Sequence, residues 1–195
     1  MLKLKKKCLE KIIRILKEVV KTSFILERLV MIIRNFKKDD YKDIFKNYSS
    51  DDDNLKYMLC KIHKNVEDAK NAVNYFVTNP NIYAIEENNE VIGMFTFTIN
   101  EKHNYAEISY CLGKNFQGKG IMGNVLTQFI DKAKDKNIHM IMAEVMEEND
   151  SSSKLLLKYG FELDGIIREK YKDRNGVYHN IKVFTKLIWQ MFKKC

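Results

Sequence analysis

The sequence predicts one α/β domain built on a mixed, mostly antiparallel sheet, with elements in the order β-α-α-β-β-β-α-β-α-β-β. Two observations support this class. The chain has 195 residues, 45% of them apolar, which suits one domain with a buried core. Its hydrophobic period changes repeatedly between helix-like and strand-like stretches. The four cysteines show no Cys-x-x-Cys pair and no nearby ligand histidine, so we expect no metal site, no disulfide framework and a reducing cytoplasm.

The first thirty residues carry nine basic and three acidic side chains, which accounts for most of the net charge of +8. Their apolar residues recur at helical spacing: Leu9, Ile12, Ile13, Leu16, Val19 and Val20. We expect residues 1–26 to form a basic amphipathic extension and residues 27–195 to form the domain. The extension docks on this domain, on a second subunit as in a homodimer, or on a membrane surface or nucleic acid. Translation starting at Met31 is the remaining alternative.

Charged residues interrupt every apolar run in this extension, so neither a signal peptide nor a transmembrane segment is expected. The domain itself is nearly neutral, and its charge gives no argument for nucleic acid as a partner. The aromatic residues that alternate along its predicted strands are expected to be core residues: Phe95, Phe97, Tyr105 and Tyr110.

The domain begins with an apolar run over residues 28–34 that predicts a first strand. Residues 41–48 place apolar side chains on one helix face, and a polar loop follows over residues 49–54. A second helix is expected to start at Asn65, whose side chain can cap it, and to stop before Pro80.

The next three elements predict an antiparallel meander, because short polar turns separate β-rich runs over residues 82–86, 91–99 and 105–112. The remaining elements are a long helix over 120–136, a strand over 138–146, a short helix over 151–159, and strands over 161–170 and 177–187. Gly160 is expected to close the short helix, and residues 173–176 to turn the last two strands into a hairpin.

The sharpest local signal is a cluster of glycines before the long helix. The chain has eight glycines, yet Gly113, Gly118, Gly120 and Gly123 fall within eleven residues. Glycines let the backbone approach a ligand closely, and a helix N-terminus directs free N–H groups at anions. The cluster therefore predicts a phosphate-binding loop.

Two nucleotide-binding motifs match this loop in part. Residues 113–119 fit the first seven positions of a Walker A loop, but Gly120 stands where Ser or Thr would bind magnesium. Residues 118–123 fit Gly-x-Gly-x-x-Gly. Both motifs require a βαβ crossover, whereas the preceding strand is expected to belong to a meander.

Together with its surroundings, the segment Gln117-Gly118-Lys119-Gly120-Ile121-Met122 resembles the pyrophosphate loop of the GCN5-related N-acetyltransferases (GNAT), in their RimJ/RimL-type branch. The similarity covers about residues 27–187. It extends to Glu107–Gly113, to Asn149 through Phe161, to Asp164–Glu169 and to Gly176–His179. The resemblance implies the GNAT acyl-CoA N-acyltransferase fold, with acetyl-CoA as co-substrate and no metal.

The resemblance also implies a role for each matched residue in cofactor binding. The backbone from Gln117 to Met122, with Lys119 and Gly120 between them, would hold the pyrophosphate. Cys111 and Leu112 would pair with the pantetheine arm like an added strand. Asn149 would hydrogen-bond that arm or orient a water, and Ser152 would protonate the departing thiolate.

The acceptor implied by the resemblance is a primary amine, either a protein N-terminus such as that of a ribosomal protein or a small molecule. Glu144 is the first candidate for the base and Glu107 the second, although either can be a solvated surface carboxylate. Leu156 occupies the position where many members carry a tyrosine acid, which leaves the acid open. A non-catalytic CoA-binding module and a nucleotide-binding protein are the alternative functions.

Overall fold

A computed structural model describes residues 31–58 and 61–188, so the expected helical extension over residues 1–26 lies outside the described residues. The element order agrees with the expected one. The strands are β1 (Ile32–Asn35), β2 (Ile82–Glu87), β3 (Glu90–Asn100), β4 (Tyr105–Leu112), β5 (Met140–Met146), β6 (Glu162–Lys172) and β7 (Tyr178–Leu187). The helices are α1 (Tyr41–Ile44), which continues as a π-helical turn to Ser49, α2 (Val66–Thr78), α3 (Ile121–Asp135) and α4 (Asp150–Lys158).

All seven strands form one sheet in the order β1-β2-β3-β4-β5-β7-β6. Every neighbouring pair is antiparallel except β4 and β5, which are parallel. The meander of β2, β3 and β4 is confirmed. The expectation that β4 lacks a βαβ crossover is wrong, because α3 carries the chain from β4 to the parallel strand β5. The turns that predict a meander say nothing about the strand on the far side of β4, which follows only after α3.

Helices cover both faces of the sheet and bury two apolar clusters. The helix α3 packs on one face and buries all six residues expected from its spacing: Met122, Val125, Leu126, Phe129, Ile130 and Ala133. There Phe129 stacks on Phe95 of β3 with ring centroids 4.2 Å apart. The helices α1 and α2 cover the other face with Ile44, Ala69 and Val73. We call these the α3 face and the α2 face of the sheet.

Local sequence signals set several element boundaries. The Asn65 side chain caps α2 by accepting a hydrogen bond of 2.9 Å from the Asp68 backbone N–H. Gly160 has a φ of +78°, so it closes α4 in the left-handed conformation that glycine adopts readily. No helix among residues 31–58 and 61–188 is long and apolar enough to cross a membrane.

A buried ionic cluster joins β1 to the turn before α1. The Arg34 guanidinium donates two hydrogen bonds to the Asp40 carboxylate, at 2.7 and 2.9 Å, and one to Glu86 Oε2 at 2.6 Å. The Arg34 side chain is 17% exposed, and those of Asp40 and Glu86 are 7% and 10% exposed. Because each charge has a partner, the cluster can be buried at the sheet edge.

Candidate active site

A gap opens in the sheet where β4 and β5 diverge. Their parallel register ends at the pair Ile108 and Ala143. Beyond that point, residues 109–112 pair with β3 and residues 144–146 pair with β7. The ends of the two central strands therefore form the walls of a cleft.

The backbone of β4 presents alternate residues to this cleft. The Gly113 N–H donates to the Ile92 carbonyl on β3 at 2.8 Å, and partners alternate along an antiparallel ladder. The peptide groups of Tyr110 and Leu112 therefore point away from β3 toward the gap. Cys111 points its backbone at β3, and its side chain is buried in the α2-face cluster. Of the two expected pantetheine partners, Leu112 has backbone groups that face the gap and Cys111 does not. Tyr110, which is not among the expected partners, also has backbone groups that face the gap.

The glycine loop ends at the N-terminus of α3, beside the same strand end. Gly118 and Gly120 have φ angles of +74° and +79°, and a Cβ built on either would meet nothing within 4 Å. Gly120 has no side chain with which to cap α3, so the first-turn amides of Ile121 and Met122 are free to bind an anion. These residues fit a pyrophosphate.

The other two glycines of the cluster have a packing role instead of the expected ligand role. A Cβ on Gly113 would lie 2.3 Å from the Asn47 carbonyl oxygen, and a Cβ on Gly123 would lie 2.0 Å from the Tyr159 hydroxyl. Each glycine admits a neighbouring segment of the fold. Half of the sequence signal at this loop therefore reports tertiary packing.

Side chains around the loop brace it against β4. Gln117 donates from Nε2 to the Leu112 carbonyl at 3.0 Å and to Asn54 Oδ1 at 2.9 Å. Its side chain therefore holds the loop, and its backbone N–H donates to the Lys114 carbonyl at 3.3 Å, so this amide is engaged within the fold. The Lys119 ammonium lies 5.5 Å from the ring centroid of Phe116, so its positive charge stays beside the loop.

The start of α4, which follows β5, extends the wall of the cleft that lies opposite β4. Asn149 caps this helix by accepting a hydrogen bond from the Ser152 backbone N–H at 3.2 Å. The Ser152 hydroxyl is therefore not needed as a cap, and it bonds the Tyr110 hydroxyl at 2.7 Å. This hydrogen bond spans the gap from β4 to α4.

Burial is the main cause of the shifted pKa of the Tyr110 hydroxyl. It raises the pKa of Tyr110 to about 12, although the hydrogen bond with Ser152 acts in the opposite direction. Tyr110 therefore stays protonated over the whole range in which enzymes work. The expectation of a core aromatic residue is correct for its ring, which stacks on Phe95 at an interplanar angle of 8°, but misses its hydroxyl.

The candidate base Glu144 lies on the α2 face, opposite the glycine loop. Lys170 and Tyr171 of β6 both donate to its carboxylate, Tyr171 at 2.7 Å. Burial raises the Glu144 pKa, but the two hydrogen bonds and the Lys170 charge lower it more, so the pKa lies below its usual value. Burial and the Glu144 carboxylate together raise the pKa of Tyr171 to about 12.

The second candidate, Glu107, lies on the same α2 face of β4. It is exposed, and its carboxylate accepts a hydrogen bond of 3.2 Å from the Tyr105 hydroxyl. Its charge also contributes to the raised pKa of Tyr171, which places both carboxylates around that residue. The fold therefore puts the two candidate bases on one side of the sheet and Ser152 with the glycine loop on the other.

The acidic loop between α1 and α2 connects the two sides. Arg174, at the tip of the β6–β7 hairpin, donates to the Leu55 carbonyl at 2.9 Å and pairs with Asp52 at 3.0 Å. Asp53 pairs with Lys114 of the glycine loop at 2.8 Å. Both carboxylates remain mostly exposed, at 76% for Asp52 and 59% for Asp53, so the expectation of a solvated acidic run is met, with surface ion pairs in addition.

Sequence reasoning missed four residues that contribute to the site: Tyr110, Lys170, Tyr171 and Arg174. Only Tyr110 carried a detectable signal. It is the one hydroxyl-bearing residue among the β4 positions that face α3, and a buried tyrosine hydroxyl needs a partner. Within the two described ranges, no group of three or more His, Cys, Asp or Glu side chains could hold a metal ion.

Comparison with known proteins identifies the family of this chain. The family model of the acetyltransferase (GNAT) domain matches residues 31–162. The N-acetyltransferase p20 of Bacillus licheniformis is 30% identical over 170 residues, which cover 83% of this chain and 93% of that protein. The ribosomal protein uS5-alanine N-acetyltransferase of Escherichia coli is 34% identical over 83 residues, 41% of this chain and 43% of that enzyme.

A solved structure shows the same fold at lower identity. The microcin C7 self-immunity acetyltransferase, in complex with acetyl-CoA and AMP, superposes with a TM-score of 0.72 at 23% identity. The match covers 80% of this chain and 92% of that one.

The chain belongs to the GNAT acetyltransferase family, with similarity to its RimJ-like branch. It is an acetyl-CoA-dependent N-acetyltransferase and has the GNAT fold expected from the sequence. Because the chain belongs to this family, we do not retain the alternative of a nucleotide-binding protein.

Proposed function

We propose that this enzyme transfers the acetyl group of acetyl-CoA to the α-amine of a peptide or protein N-terminus. The observation that carries this choice is that three carboxylates around the acceptor side have a basic partner, whereas the contact described for Glu107 is the Tyr105 hydroxyl. Glu144 pairs with Lys170, Asp52 with Arg174 and Asp53 with Lys114. A polyamine would need several unpaired carboxylates, whereas a peptide N-terminus brings one ammonium group.

The α3 face of the cleft is the proposed cofactor side. The open glycines Gly118 and Gly120 and the amides of Ile121 and Met122 would hold the pyrophosphate, with Lys119 supplying positive charge. Tyr110 would pair with the pantetheine arm through its peptide groups, as an added strand does. Leu112 would pair through its N–H, since its carbonyl already accepts from Gln117. Asn149 would donate from its amide nitrogen, because its oxygen caps α4. Cys111 has no direct contact with the arm in this proposal. Its backbone pairs with β3, and this pairing positions Tyr110 and Leu112 on either side of it.

The α2 face is the proposed acceptor side. There Glu144 would accept the proton that the attacking ammonium loses, through a water molecule, with Glu107 as the second candidate. Lys170 and Tyr171 fix the Glu144 carboxylate and keep it ionised. The amine would then attack the thioester through the gap, while Ser152 faces the leaving sulphur.

An acceptor panel tests the proposal directly. We expect peptides with a free N-terminal alanine to be acetylated with a kcat/KM at least tenfold above that of spermidine, measured by release of the CoA thiol. The same peptides with a blocked N-terminus are the control and should give no turnover. A preference for spermidine would overturn the acceptor assignment, and absence of turnover with every amine would favour the non-catalytic CoA-binding module. We also propose that the enzyme works in the cytoplasm, as its cysteine usage leads us to expect.

A further inference from the structure

The hydrogen bond between Tyr110 and Ser152 is a polar contact within an apolar layer. The Tyr110 ring packs against the α3-face cluster, and the hydroxyl groups lie 2.7 Å apart. The contact joins the end of β4 to the third residue of α4, the two walls of the cleft. It therefore lies at the place where the bound cofactor would present its reactive end.

The Ser152 hydroxyl can be spared for this contact because its neighbours satisfy the helix start. Asn149 Oδ1 accepts from the Ser152 backbone N–H and from the Ser151 hydroxyl, at 3.2 and 2.9 Å. Ser153 donates to the Asn149 carbonyl at 3.1 Å. Of the three consecutive serines, only Ser152 directs its side chain across the cleft.

The chemistry of the two hydroxyl groups sets the direction of their hydrogen bond. A phenol is a better donor than an aliphatic alcohol and a poorer acceptor, since its lone pairs are delocalised into the ring. With Tyr110 donating, the single hydrogen of Ser152 is left to donate elsewhere. That hydrogen can then be donated to a ligand in the cleft.

We propose that Tyr110 is a positioning residue that aims the Ser152 hydroxyl at the sulphur of the thioester, so that the sulphur departs as a thiolate hydrogen-bonded to Ser152. The inference rests on the proposed function. The amine nitrogen forms the new C–N bond and the C–S bond breaks, with its electron pair passing to sulphur. The amine protons leave to the base and water, and the free thiolate later takes its proton from water.

Acid strength supports hydrogen bonding over full proton transfer. A cysteine thiol has a pKa of about 8.5, whereas burial raises the pKa of Tyr110 to about 12, so this phenol is a weaker acid than a thiol. A proton passed from Tyr110 through Ser152 to sulphur would therefore move uphill. Two neutral donors in series stabilise the thiolate without giving up a proton.

The test compares the binding of CoA and desulfo-CoA, which differ only at the sulphur, by calorimetry at pH 9 and pH 6. We expect the wild-type enzyme to prefer CoA at pH 9, where the thiolate is present, and to lose most of that preference at pH 6. Ser152→Ala should reduce the pH 9 preference by about tenfold or more, since a hydrogen bond to a charge is lost. Tyr110→Phe should lose a large part of it and leave desulfo-CoA affinity unchanged.

Two matched variants serve as controls. Tyr83→Phe removes a hydroxyl that accepts from Lys132 at 2.7 Å in the same cluster, and Ser153→Ala removes a neighbouring helix hydroxyl. Both should keep the wild-type preference. Two results for Tyr110→Phe would overturn this inference and leave the proposed function standing. One is an unchanged preference for CoA, and the other is an equal loss of affinity for CoA and desulfo-CoA. If neither ligand binds the wild-type protein, the proposed function falls with it.

Discussion

Gly123 distinguishes a packing glycine from a ligand-binding glycine, and Gly123→Ala tests that distinction. A Cβ at this position would lie 2.0 Å from the Tyr159 hydroxyl oxygen, 2.7 Å from Cζ and 3.0 Å from Cε2. The ring must move, and overpacking of this kind costs about 1–3 kcal/mol. Replacing a helical glycine by alanine recovers about 0.5–1 kcal/mol. We therefore expect a net loss of about 1 kcal/mol of unfolding free energy, within a range of roughly 0–2.5 kcal/mol.

Urea denaturation of single and double variants measures this effect. Tyr159→Phe removes the shortest contact, so Gly123→Ala should cost less in that background than in the wild-type protein. The contact to Cζ remains, which makes the rescue partial. Gly165→Ala is the matched control, because a Cβ there meets nothing within 4 Å, and it should change stability by less than about 0.5 kcal/mol. Equal costs in both backgrounds, or loss of acetyl-CoA binding by the folded Gly123→Ala variant, would refute the packing role.

Three further predictions follow from the same structure. Gly120→Ala should leave the domain folded, at a cost of about 1–2 kcal/mol for its left-handed conformation, but weaken acetyl-CoA binding at least tenfold in calorimetry; unchanged affinity would contradict the loop assignment. Glu144→Gln should lower kcat/KM by about 100-fold at every pH from 6 to 9, because the lowered pKa keeps this carboxylate ionised throughout; a loss that grows toward low pH would contradict it. Arg34→Met should cost about 3 kcal/mol in urea unfolding, since the Asp40 and Glu86 carboxylates stay buried without their partner, and a cost below 1 kcal/mol would contradict the role of that cluster.

Local signals predicted much of the fold because the forces behind them act over a few residues. The six-residue apolar face of α3 follows from helical periodicity, and the Asn65 cap and the Gly160 terminus follow from backbone chemistry at single positions. Each of these features is determined within one or two helical turns. They are correct without knowledge of the tertiary structure.

The errors and omissions are nonlocal. The parallel pairing of β4 with β5 joins residues 35 positions apart, such as Tyr105 and Met140, and no turn signal can announce it. Gly123 meets the side chain of Tyr159, which directly follows α4, so its packing role cannot be separated from a ligand role by sequence spacing. Tyr110 and Ser152 are 42 positions apart. The sequence predicts a core aromatic residue at Tyr110 and, through the family resemblance, a proton donor at Ser152, but no local signal links the two side chains.

The central claim is that acetyl-CoA binds where β4 and β5 diverge beside the N-terminus of α3. The most direct test is the melting temperature of the wild-type and Gly120→Ala proteins with and without acetyl-CoA, with magnesium-ATP as the comparison ligand. At 100 times its dissociation constant a ligand stabilises by about 2.7 kcal/mol, which corresponds to a shift of roughly 5–11 °C for a domain of this size. We predict that shift for the wild-type protein with acetyl-CoA alone, and a smaller one for the variant at the same concentration. A shift with magnesium-ATP, or an equal acetyl-CoA shift in both proteins, would contradict the account.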